Sequence, residues 1–332
     1  MKSLIALALL ATALPAVAAT LIVGNKNEDS VSFIDLDSGE EVAKAKTGPN
    51  PHEVAVSPDG RRAFVVNYGG TTLDLFDTQT RKLIGTCELA PNAGPHGIVW
   101  TDANAILVTT ERTQTLTLLT PDCGRAEAIS TGQEGSHMLA VHLPTGRAYV
   151  SNLSDQSVTA IDLVAGKKIA DFDAAEEPEG IAVTPDGTEL WVANRKSNSV
   201  YVLDPASGDR VASIDVGQMP IRLAISPDGK WAVTSDLLDG SISVIDIAAR
   251  RKVRDIRVSG EADAQQVTLI WSPDGTKLYA AETARSQVAE IDFATGERLR
   301  YLPAGEGADG LGIATVTGPP PTVRFEDLPV PQ

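Results

Sequence analysis

A unit of about 42 residues recurs along this chain, and a repeat of that length leaves few folds open. Segments 51–67 (PHEVAVSPDGRRAFVVN), 179–194 (EGIAVTPDGTELWVAN) and 221–236 (IRLAISPDGKWAVTSD) are copies of one pattern, and 95–111, 136–152 and 267–282 are three more. Each copy runs on into an alternating strand that closes on Asp35, Asp77, Asp162, Asp204, Asp246 or Asp292, with Thr120 standing in once. The steps between these landmarks are 42, 43, 42, 42, 42 and 46 residues. Two β-branched runs joined by Pro-Asp-Gly make a hairpin, because proline pre-sets φ and glycine accepts a positive one. A third and a fourth alternating strand use up the period, which is that of a four-stranded propeller blade. Six whole copies leave two fragments: an N-terminal piece without a first strand, and GLGIATV at 310–316, a first strand with no blade behind it. Together they complete a seventh blade and pair the sheet edges that would otherwise stay open. The expectation is an all-β, seven-bladed β-propeller closed by its N- and C-terminal strands in one blade.

The units reading P-x-G-[IV]-A-V-[ST]-P-D-G-x-x-[LV]-[YFW]-V-[ATS]-N, best matched at 178–194 and 51–67, resemble the YVTN-type repeats of exported bacterial and archaeal propellers. Such repeats are similar to those of YncE-like periplasmic proteins, of haem d1 domains in cytochrome cd1 nitrite reductases and of PQQ-associated propellers. The resemblance implies a rigid scaffold and leaves the ligand open.

The N-terminus has the layout of a secretory leader: Lys2, an apolar run from Leu4 to Leu14, then Ala16-Val17-Ala18 as a small-x-small cleavage site. The apolar run is too short to span a bilayer. The expected division is a leader at 1–19, the propeller at 20–317 and a Pro-rich tail at 318–332, with a periplasmic or secreted, monomeric product. A formal charge of −16 argues against nucleic acid, whose phosphates need Lys and Arg to neutralise them. Two cysteines, Cys87 and Cys123, in an oxidising compartment suggest one disulfide, provided their Cα atoms come within about 7 Å.

Aligning the repeats turns the linear sequence into rings. The top-rim residue of strand one is expected to be His52, His96, His137, Glu179, Ile221, Val267 and Leu311. The last residue of strand two, on the same rim, is expected to be Asn25, Asn67, Glu111, Asn152, Asn194, Asp236 and Glu282. One place beyond the first ring lie Glu53, Met138 and Arg222; one place beyond the second lie Lys26, Tyr68, Arg112, Arg195 and Thr283.

Three of the four histidines thus share one repeat position. His52, His96, His137 and Glu179 are a donor set for a divalent transition metal, and imidazole serves equally as an acid or base. The structural alternative is that the histidines cap loops or bond the neighbouring blade. Arg195 and Arg222 supply cations able to pair with a carboxylate or phosphate, so the ligand-binding candidates are His52, His96, His137, Glu179, Glu111, Arg195 and Arg222. Glu111 and Glu282 are the candidate bases. The asparagine ring reads as a tie between blades and the aspartates at the end of strand three as turn residues. Trp100, Trp191, Trp231 and Trp271 read as blade packing, and His142 as a turn residue.

Three functions compete. The first is a non-enzymatic scaffold that takes a small molecule or a periplasmic protein on its top face. The second is a metal-dependent enzyme similar to lactonase or streptogramin-lyase propellers, built on the His/Glu cluster. The third is a redox or cofactor propeller of the haem d1 or PQQ-associated kind, with one histidine as axial ligand.

Overall fold

The computed structural model describes residues 19–124 and 126–316. Apart from Ala19, the leader lies outside the described residues, as does the tail at 318–332. Seven antiparallel sheets of four strands form the ring. Blade 1 joins the N-terminal strands within 20–46 to the C-terminal strand Ala308–Ala314, which pairs with Thr20–Asn25. Blades 2 to 7 follow as residues 51–88, 95–130, 136–173, 178–215, 220–257 and 266–303. In each, the first strand lines the channel and the fourth lies outermost.

The turns work as the residue types suggest. In blade 2, Ser57 Oγ donates to Asp59 Oδ1 at 2.6 Å and Arg61 N–H donates to the same oxygen at 3.1 Å, while Gly60 has a φ of +71°. The aspartates at the end of strand three accept backbone N–H groups, as Asp204 does from Ala206 at 2.7 Å and Asp292 from Thr295 at 2.8 Å. His142 is bonded through Nδ1 to Thr145 Oγ1 at 2.9 Å, within its own turn.

The core lies between blades. Phe64, Val66 and Leu73 of blade 2 pack on Trp100, Ile106 and Val108 of blade 3. Leu21 and Val23 of blade 1 join Ile221, Val267 and Leu302 in one cluster that seals the ring. Each such side chain contributes about 1.5–3 kcal/mol when fully buried. The asparagine ring acts mainly inside its blades: Asn25 Nδ2 donates to Ser30 and Ser32 at 2.9 Å, and Asn152 Nδ2 to Ser157 and Thr159 at 3.0 and 2.9 Å. Asn25 and Asn194 also accept from the inter-blade connectors, from Gly305 N–H at 2.9 Å and Ala175 N–H at 3.1 Å.

Cys87 in the last strand of blade 2 and Cys123 in the final turn of blade 3 form a disulfide, with Cα atoms 5.3 Å apart. Thiol titration of the denatured, unreduced protein is therefore expected to find no free thiol. Two reactive thiols would show that the bond does not form.

Candidate functional site

Backbone hydrogen bonds fix the register of the mouth. In all seven blades the residue before strand one is left-handed: Gly307, Asn50, Gly94, Gly135, Glu177, Met219 and Gln265. Its carbonyl accepts the N–H of the residue just past strand two, which is Lys26, Tyr68, Glu111, Leu153, Arg195, Leu237 or Thr283, at 2.8–3.1 Å. These seven are equivalent and form an upper ring.

That frame corrects two expected positions. Glu111 belongs to the upper ring; the second-ring place in blade 3 is Thr110, which pairs with Pro95 as Asn67 pairs with Pro51. The cause is a hairpin loop one residue shorter, Thr101–Ala105 in place of Ser57–Arg62. Arg112 moves one place beyond the upper ring for the same reason. In blade 1 the first-ring residue is Asp309, not Leu311, because Ala308 pairs with Asn25 as Pro51 does with Asn67. The closing strand accordingly starts at Ala308, two residues before the expected one. Gly310 makes this placement tight: a Cβ there would stand 1.7 Å from the carbonyl oxygen of His52. Only glycine lets the closing strand approach blade 2 so nearly.

The corrected ring is a continuous polar arc, Asp309, His52, His96, His137 and Glu179, over blades 1 to 5. Ile221 and Val267 fill blades 6 and 7. The upper ring matches it: Lys26 binds Asp309 at 2.8 Å, Tyr68 lies 4.8 Å from His52, Glu111 binds His137, and Arg195 binds Glu179 at 3.0 Å. Above the apolar pair lies Leu237, in the same cluster as Ile221 and Val267.

The three histidines differ in state. His137 uses both nitrogens, with Nδ1 2.7 Å from Glu111 Oε2 and Nε2 3.6 Å from Glu179 Oε1. Burial opposes its charge, but the two carboxylates outweigh it and hold the imidazolium up at about 9. His96 stacks on it with ring centroids 3.7 Å apart. Burial, reinforced by the charge on His137, pushes His96 well below the ordinary range, so it is neutral. Its Nδ1 is buried with no hydrogen-bond partner.

His52 is also pushed down by burial, against the partly opposing pull of Asp309. Its Nδ1 is 3.1 Å from the carbonyl oxygen of Asn50, and a carbonyl can only accept, so the proton sits on Nδ1. Nε2 is therefore a bare acceptor, 3.9 Å from Asp309 Oδ2. Tyr68 completes the wall, 5.4 Å from His96 and donating its O–H to Glu111 Oε1 at 3.2 Å.

Arg222 closes the floor. Its Nη1 donates to Glu179 Oε1 at 2.8 Å and its Nη2 to Glu53 Oε1 at 2.5 Å, a bridge from blade 6 to blades 5 and 2 across the channel. All three side chains are at most 10% exposed. This bridge spans the channel under the first ring and gives the mouth the form of a cup. Two blades also hold their neighbour's first-ring residue: Thr109 Oγ1 of blade 3 donates to the carbonyl of His137 at 2.6 Å and Ser151 Oγ of blade 4 to that of Glu179 at 2.7 Å.

The structure therefore brings His52, His96, His137, Glu179, Glu111, Arg195 and Arg222 together. Glu282 is not among them. It is buried in blade 7, where Gln287 Nε2 donates to it at 2.6 Å, and no contact joins it to the histidines among the described residues. His52, His96, His137 and Glu179 form a stacked, ion-paired array, and among the described residues no group of three or more His, Cys, Asp or Glu is disposed to hold a metal ion. Asp309 went unseen in the sequence, although Ala308-Asp309-Gly310 carries the same glycine as Pro95-His96-Gly97 and Pro178-Glu179-Gly180.

Fold and site together define a seven-bladed β-propeller with a polar, floored mouth. The chain belongs to the lactonase family of seven-bladed β-propellers, whose model (Lactonase, 7-bladed beta-propeller) matches residues 17–256. No curated protein matches it. Among solved structures, it is similar to a functionally unknown protein from Desulfotomaculum acetoxidans DSM 771, at 16% identity over 90% of this chain and 99% of that one, with a TM-score of 0.75. It is also similar to Kuenenia stuttgartiensis hydrazine synthase, at 18% identity over 77% of this chain and 87% of that one, with a TM-score of 0.67. At these identities both likenesses concern the fold alone.

Proposed function

We propose that this propeller binds a small, uncharged, hydrogen-bond-donating molecule, such as a polyhydroxylated ring, in the top-face cup. The observation that carries this reading is the pair of neutral histidines. His52 Nε2 is a bare acceptor facing Asp309, and His96 has a buried nitrogen without a partner. An acceptor left unpaired at a mostly buried site is costly, and a ligand O–H or N–H donating to His52 Nε2 relieves that cost. The cations Lys26, Arg195 and Arg222 are each engaged by a carboxylate, which disfavours an anion. Aromatic faces beside a few placed polar groups suit a compact organic ligand.

One observation favours a second reading, hydrolysis of a lactone or ester as the family name suggests. A neutral His96 stacked on a charged His137 is a base beside an acid, the division of states that acid–base chemistry needs. In a metal-assisted form of that reading, His52, His96, His137 and Glu179 would have to rearrange around the ion. We further propose that the chain is exported and of the YVTN, YncE-like kind; the leader-like N-terminus and the disulfide support this.

Imidazole ¹⁵N spectra recorded with sorbitol, glucose, gluconolactone and Zn²⁺ test the assignment. A polyol is expected to shift the resonances of His52 and His96 and to lose its affinity in His96→Phe, a variant whose melting temperature stays within a few degrees of the parent. A response to Zn²⁺ alone would replace this reading with the metal one. Acid release from gluconolactone that is abolished in His96→Phe and indifferent to chelator would establish the hydrolase.

A further inference from the structure

On the face opposite the mouth, Trp231 breaks a pattern. It opens strand two of blade 6 opposite Asp246, the place held by Arg62, Arg147 and Lys277 opposite Asp77, Asp162 and Asp292. The indole stands where blades 2, 4 and 7 carry a cation, at the edge of the core shared by blades 6 and 7 and beside Phe293. Trp231 is only partly buried, and its indole N–H has no hydrogen-bond partner among the described residues. Trp271, by contrast, donates to the carbonyl of Ala224 at 3.3 Å.

Two contiguous clefts flank Trp231, of about 560 and 390 Å³, and both are lined by Pro227, Asp228 and Trp231 itself. Pro185 and Ile247 continue the apolar floor on one side and Phe293 on the other. The rim is acidic. Asp186, Glu189, Asp228, Asp246 and Asp274 line the clefts; the cations at hand are Lys230 in the lining, Arg250 beside Glu189 and Arg254 over the Phe293 ring. Lys230 pairs with Asp228, and Arg250 reaches in to Glu189. Asp186, Asp246 and Asp274 have no ion-pair partner among the described residues.

We infer that this groove docks an extended, proline-containing segment of a partner protein that carries basic side chains. The chemistry follows from the parts. A polyproline II segment has no internal hydrogen bonds and presents its carbonyls outward, so a free indole N–H can donate to one of them. Its rings pack on tryptophan and proline surfaces at little entropic cost. Three unpaired carboxylates at the rim select arginine or lysine beside the prolines and set a salt-dependent association rate. The groove lies on the other face from the cup, so this inference stands apart from the proposed ligand.

The test uses the full chain and a fluorescein-labelled peptide of prolines flanked by two arginines, read by anisotropy. The same peptide with glutamates in place of the arginines is the control. Saturable binding of the arginine peptide is expected, with weaker binding of the glutamate peptide. Trp231→Arg, which copies the residue of blade 2, is expected to raise the Kd at least about tenfold, a loss of about 1.4 kcal/mol. Asp186→Asn with Asp274→Asn is expected to weaken binding and flatten its salt dependence with the fold intact by circular dichroism. His96→Phe is expected to leave the peptide affinity unchanged. Absence of saturable binding, equal affinity for both peptides, or indifference to both the Trp231 and the aspartate variants would overturn the inference. So would binding that emerges only when the chain is ended at Val316, which would give the groove to the chain's own Pro-rich C-terminus.

Discussion

Arg222→Met is expected to lower the stability of the propeller by about 3–5 kcal/mol, the cost of leaving buried charges without their partner. The guanidinium lies between Glu53 and Glu179 with little solvent on any of the three side chains. Methionine fills much of the same volume, so the loss comes from charge and not from a cavity. Urea denaturation of the variant at neutral pH reads the effect. Adding Glu53→Gln to Arg222→Met removes one uncompensated carboxylate and is expected to restore a substantial part of the loss.

The pH dependence distinguishes the cause. In the parent, burial tends to raise Glu179, but His137, Arg222 and Arg195 outweigh it and hold the carboxyl below its ordinary range. Its contribution is therefore present above the unfolded pKa and is lost as pH falls. Without Arg222 that balance shifts toward the neutral acid, so the gap between variant and parent narrows on acidification. A gap that stays constant from pH 8 to pH 4 would mean that packing, not charge, accounts for the change.

Asp236→Asn is expected to stabilise the protein at pH 8 by about 2 kcal/mol, which makes it the second large effect. In this place blades 1, 2, 4 and 5 carry asparagine. Asp236 is fully buried, and burial pushes its carboxyl up to about 7 although Ser243 and Thr234 donate to it at 2.7 Å; Asp239 and Asp255 push it further. No cation compensates the carboxylate in that place among the described residues.

The direction of the pH effect follows from the folded group holding its proton more tightly than the unfolded one. Stability then declines as pH rises from about 4 to about 7 and levels off above that. A rise from 3.8 to about 7 sets an upper bound of about 4 kcal/mol. Asparagine can accept from Thr234 and donate to Ser243, much as Asn152 Nδ2 donates to Ser157 and Thr159. The gain is expected to vanish below pH 4. Thermal melts of both proteins from pH 4 to 8 check it, and parallel curves would refute the assignment.

Much of the architecture was legible in the residues. Pro-Asp-Gly hairpins, alternating apolar strands and an aspartate that binds its own turn are local devices, and each acts within a few residues of itself. The His52, His96 and His137 alignment was legible for the same reason, since equal spacing from a common hairpin carries equal position.

The site was legible only where spacing was uniform. The loop Thr101–Ala105 is one residue short, and that single step exchanged Thr110 for Glu111. The closing strand has no hairpin of its own to count from, and Leu311 stood in for Asp309. Strand side chains alternate with a period of two, so small errors of register change which residue a position names.

The sequence by itself determined the number of blades, their strand order, the closure of the ring and the position shared by three histidines. The repeat encodes these through short-range turn chemistry and strand pairing. Only the tertiary structure decided that Arg222 meets Glu53 across the channel, 169 residues away in the chain, and that His137 is charged while His96 is neutral. Those properties depend on burial and on charges brought from other blades, and no local pattern of residues carries them.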